Sequence, residues 1–81
     1  MELYTKTQLL RMTQFLNSVV DKPSIIDGEC ITVEKLNNTI FIFCNTELGM
    51  YRIVNHYKSM FDQLNYGYTY NSGKWCVSFD I

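Results

Sequence analysis

His56 is the single histidine of the chain, and Arg52, Ser59 and Asp62 lie three or four residues apart along the same stretch. That spacing stacks side chains on one face of a helix. A Ser59–His56 pair would be the seed of a nucleophile and its base. Acyl transfer also needs donors for a developing oxyanion, and no glycine-rich elbow supplies them here. The face reads as a solvated helix surface. Cys30, Cys44 and Cys76 stand singly and far apart, without the short paired spacings of a zinc site or a disulfide framework. Thiols within strands are expected to be buried and inert. Glu29 and Glu34 find no partner as an acid/base couple. The expectation is a protein that is not an enzyme and uses no metal or cofactor.

Composition sets the frame for these residues. Eighty-one residues make one domain, 1–81, with 47% hydrophobic, 15% aromatic and 19% charged residues. That is enough to pack a core, although a chain this short buries only about 60–65% of its unfolded surface. A formal charge of −1 excludes a basic nucleic-acid clamp held by counterion release, and equally an acidic mimic of DNA. The first residues lack the layout of a signal peptide, and no apolar run approaches the roughly 20 residues of a membrane span. A soluble protein of a reducing cytoplasm is expected. The chain has no alanine and one proline, against six tyrosines, five phenylalanines and four methionines. This skew points to an AT-rich genome, such as many phages and AT-rich bacteria have.

Thr5-Lys6-Thr7-Gln8 fits a capping box, with Tyr4 and Leu9 as its hydrophobic staple. Leu9, Met12, Leu16 and Val19 recur at helical spacing, so a helix is predicted over about 6–20, ended by Lys22-Pro23. A loop runs through Ser24 to Gly28. The period then becomes two, and Asn37-Asn38 divides two β-rich runs as a tight hairpin turn. The two-residue loop sets Leu36 against Thr39, Lys35 against Ile40, Val33 against Ile42 and Ile31 against Cys44. That face should meet the core, and the other pairs Glu34 with Phe41 and Thr32 with Phe43. A second helix, capped by Asn45 or Thr46 and favoured by Glu47, carries Met50, Ile53, Val54, Tyr57, Phe61 and Leu64 on one stripe. The end of the chain forms another hairpin, turning at Asn71 to Lys74, with Tyr70 facing Trp75, Tyr68 facing Val77 and Tyr66 facing Phe79. The fold class is α+β in the order α-β-β-α-β-β, an antiparallel sheet of about four strands packed by two helices.

The segment Ile40 to Asn45, IFIFCN, resembles the first-strand signature of RNA-recognition motifs, and KWCVSF, Lys74 to Phe79, resembles their aromatic third-strand signature. The resemblance covers Thr39 to Ile81 in strand–helix–strand–strand order. It implies single-stranded RNA or DNA stacked on sheet aromatics, with Phe41 at the stacking position. The glycines of the third-strand signature are absent, as are the family's second helix and fourth strand.

Aromatic residues exceed the needs of one small core. Phe41 and Phe43 point away from the predicted core face, and are exposed unless the first helix or a dimer mate covers them. Contiguous apolar patches on soluble domains mark protein contacts, where aromatic residues are favoured. The leading expectation is therefore a non-enzymatic protein-binding module, of the kind phages use to inhibit or redirect host enzymes or defence systems by steric docking. Its expected partner is a host protein, with homodimerisation as a further expectation, nucleic acid as the alternative and no membrane. Phe41, Phe43, Tyr68, Tyr70 and Trp75 are the expected anchors, with Arg52 and His56 as polar contacts.

Overall fold

The computed structural model describes residues 6–61 and 63–80. The Thr5 cap and the Tyr4–Leu9 staple lie outside the described residues, as do Asp62 and Ile81. Helix α1 spans Lys6–Ser18, followed by strands β1 (Pro23–Ile26), β2 (Glu29–Leu36) and β3 (Thr39–Cys44). Helix α2 (Glu47–Tyr57) then leads to β4 (Asn65–Thr69) and β5 (Lys74–Asp80). The α+β class holds, but the order is α-β-β-β-α-β-β, and the antiparallel sheet has five strands in the order β1-β2-β3-β5-β4.

The additional strand is Pro23–Ile26, where a loop was expected. Proline is tolerated there because β1 is an edge strand and Pro23 its first residue. Asp27 and Gly28 turn the chain with φ of 52° and 80°, the left-handed pair that a two-residue hairpin requires. Asn37, at φ 56°, does the same for β2 and β3. Their register is the expected one, from Leu36 opposite Thr39 to Ile31 opposite Cys44.

The last hairpin differs from its expected register by two. Tyr68 faces Trp75 and Tyr66 faces Val77. The loop is Tyr70–Gly73, closed by the Gly73 N–H on the Thr69 carbonyl at 2.9 Å. The Thr69 hydroxyl also donates to the Lys74 carbonyl at 2.6 Å. Gly73, at φ 68°, takes the conformation that a side chain would resist. Helix α2 also ends earlier than its apolar stripe suggests. Thr46 caps its start by accepting the Gly49 N–H at 3.0 Å. The helix stops at Tyr57, and Met60 closes a turn onto the Tyr57 carbonyl. Leaving the helix lets Phe61 stack on Phe79, with centroids 4.2 Å apart.

One face of the sheet carries the core. Ile31, Val33, Ile40, Ile42, Cys44, Val77 and Phe79 are buried beneath Met50, Ile53 and Tyr57 of α2. Leu16 of α1 is buried in the same cluster, with Met12, Val19 and Val20 packed against it. Each large apolar side chain taken out of water there contributes about 1.5–3 kcal/mol. Both helices thus lie on one side, and α1 does not cover Phe41 and Phe43.

Candidate functional site

The alternation of each strand and the paired register define what the other face presents. Glu34, Phe41, Ser78 and Asn65 stand side by side in one row, and Thr32, Phe43, Cys76 and Gly67 in the next. Leu36, Thr39 and Asp80 form the row at the head of the sheet. Ile25 beside Cys30, and Lys74 beside Thr69, lie at its foot. No helix among the described residues lies on this face. Phe41 and Phe43 are half-buried, shielded only along their flanks by cross-strand neighbours. Ile25 and Leu36 are about two-thirds exposed, at 64% and 66%. Gly67 leaves a shallow depression between Phe43 and the β4 edge.

Tyr68 and Trp75 do not join Phe41 and Phe43. Their positions alternate onto the opposite, helix-bearing side of the sheet, where they lie at the β4 edge. Tyr68 meets Trp75 edge-to-face at 5.1 Å and Tyr70 at 5.0 Å. One step along β4, Tyr66 meets Tyr51 of α2 at 5.8 Å. Tyr51, Tyr66, Tyr68 and Tyr70 are 44%, 53%, 42% and 89% exposed, so they form an accessible tyrosine ledge rather than core. Tyr51 and Tyr66 are functional candidates that sequence reasoning did not single out. Tyr51 lies off the buried stripe of α2, and its meeting with Tyr66 depends on how α2 crosses the sheet.

Arg52 and His56 belong to neither surface. Arg52 reaches Glu29 of β2 at 3.6 Å, a solvent-exposed pair worth about 0–1 kcal/mol that helps tie α2 to the sheet. His56 is exposed and stands edge-on to its neighbour Tyr57 at 4.8 Å. Ser59 lies just past the end of α2. Cys44 and Cys76 are buried, whereas Cys30 is exposed rather than an inert interior thiol. Burial pushes both interior thiols up to about 11, the opposite of what activates a nucleophile. Among the described residues no three metal-ligating side chains cluster, and no helix is long and apolar enough to cross a membrane.

The geometry divides the aromatic strands that resemble RNA-recognition signatures. Phe41 lies on the open face, but Trp75 and Phe79 of β5 turn toward the helices, so β5 offers no ring there for a base. Comparison with known proteins returned no matching family model, no matching curated relative and no matching solved structure.

Proposed function

We propose that this chain is a protein-binding module without catalysis of its own, gripping a second protein with the tyrosine ledge along β4. The observation that carries this reading is the contiguous run of exposed rings from Tyr51 through Tyr66 and Tyr68 to Tyr70, backed by Trp75. Tyrosine brings large contact area at low entropic cost and keeps a hydroxyl for the wet rim. Clusters of Tyr and Trp are where binding energy concentrates. As β4 is the outermost strand of the sheet, its edge also offers backbone groups for a partner strand. The action is steric: the ledge covers a functional surface of the partner. The composition suits a phage accessory protein that blocks or redirects a host enzyme or defence protein in the cytoplasm.

The test is a pull-down with the tagged 81-residue chain from nuclease-treated and untreated host lysates, run beside Tyr66→Ala/Tyr68→Ala. A stoichiometric protein retained after nuclease by the parent chain and lost by the double variant supports the reading. Retention unchanged by the substitutions overturns the ledge as the contact. A signal that vanishes with nuclease transfers the function to single-stranded nucleic acid.

A further inference from the structure

The open sheet face is a separate surface, and its composition is not that of a strand meant for water. Antiparallel sheets with one wet face alternate apolar and polar residues, whereas strands buried on both faces read as continuous apolar runs. Strand β3 reads Thr-Ile-Phe-Ile-Phe-Cys, so two of its three outward positions, Phe41 and Phe43, are as apolar as the inward Ile40 and Ile42. We propose that this face is closed by a second copy of the chain, in a face-to-face homodimer with antiparallel stacked strands.

The distribution of charge selects both the occupant and the arrangement. Asp80 lies at the head of β5 and Lys74 at its foot, both on the open face by register. A two-fold interface sets each residue against its counterpart reciprocally. With the axis running across the strands, between the Phe41 and Phe43 rows, Lys74 falls on the partner's Asp80. Phe41 falls on the partner's Phe43, and Leu36 on the partner's Cys30. Head meets foot everywhere, each cation meets an anion at the rim, and four phenyl rings form the centre. Glu34 falls on the partner's Thr32, whose hydroxyl can donate to its carboxylate, and no residue of its own β1 stands beyond it to exclude water. An axis along the strands would instead lay Asp80 on the partner's Leu36 and leave Lys74 at the far end.

The overlapping area sets the strength. With this axis β1 lies beyond the partner's β2, so β2, β3, β5 and β4 make the contact. Four strands spaced about 4.8 Å apart and about 20 Å long give roughly 380 Å² in projection. With side-chain relief, two such faces bury about 900–1,000 Å², the size of a weak, concentration-dependent dimer.

The test is sedimentation equilibrium of the full chain up to about 200 μM, with circular dichroism to check the fold. The wild type is expected to approach twice its 9.6 kDa chain mass at the highest concentrations. Lys74→Asp and Asp80→Lys should each weaken association about tenfold or more, and the double swap should restore it. Phe43→Arg should give a monomer. Should that variant unfold, the charge pair still decides, because both residues lie at the ends of β5. A wild-type monomer at all concentrations overturns the proposal, as does a dimer indifferent to these variants or a double swap that fails to rescue. The tyrosine ledge is not part of this interface, so a monomer that still retains its protein partner leaves the proposed function standing.

Discussion

Tyr68 and Trp75 face each other directly across β4 and β5, their rings edge-to-face at 5.1 Å and 65°. This pair joins the outermost strand to the strand beside it, and Trp75 is half-buried behind it. Tyr68→Ala should therefore move the Trp75 emission maximum to longer wavelength and cost about 1 kcal/mol in chemical denaturation, the value of an aromatic pair beyond its area. The single tryptophan makes the fluorescence unambiguous. An unchanged spectrum together with unchanged stability would show that the two rings do not meet.

Two glycines separate conformational cost from steric cost. Gly28 holds φ 80° with nothing within 4 Å of an added Cβ, and Gly67 has the same open space without a left-handed φ. Gly28→Ala should destabilise by about 1–2 kcal/mol purely through backbone strain. Gly67→Ala should be neutral or stabilising by up to about 1 kcal/mol, since it only restricts the unfolded chain. Urea denaturation of the two variants checks the contrast, and equal losses would mean that the Asp27-Gly28 turn is not left-handed.

The parts of the fold that were legible in sequence are those where one local rule decides. Asn37-Asn38 leaves only a two-residue turn, so the β2–β3 register follows, and with it the outward direction of Phe41 and Phe43. Strand β1 is hidden in the sequence because Pro23 reads as a helix stop, while Asp27-Gly28, a strong hairpin signal, follows only four strand residues. The β4–β5 register turned on Gly73 and the Thr69 hydroxyl, a local hydrogen-bond competition that strand alternation does not reveal. Phe61 and Leu64 kept helical phase, yet Phe61 reaches Phe79 only by leaving the helix, a tertiary gain invisible to periodicity. The division of the aromatic residues into an open face and a ledge followed from which side both helices chose, and no pattern within either helix states that.

The interior thiols and Tyr57 give the fold an alkaline limit. Cys44 and Cys76 are pushed up to about 11 from 9.0, chiefly by burial, with Cys76 and Glu29 adding to the effect on Cys44 and Glu34 to that on Cys76. Burial alone raises Tyr57 from 10.0 to about 12. Each is an acid whose folded-state value lies above its unfolded one, so the unfolded chain gives up its proton first as pH rises. The stability these groups confer is complete below about pH 9 and is lost as pH climbs through 11 to 12, on the order of 2–3 kcal/mol for each group. The melting temperature should therefore fall steadily above about pH 9. At pH 8, in solution dilute enough for the chain to be monomeric, a thiol reagent should modify Cys30 promptly, because it alone of the three cysteines is exposed, and should reach Cys44 and Cys76 only as the chain unfolds. Prompt reaction of all three thiols in the folded protein would show that the sheet does not shield them. A melting temperature unchanged to pH 11 would show that their ionisation is not coupled to the core.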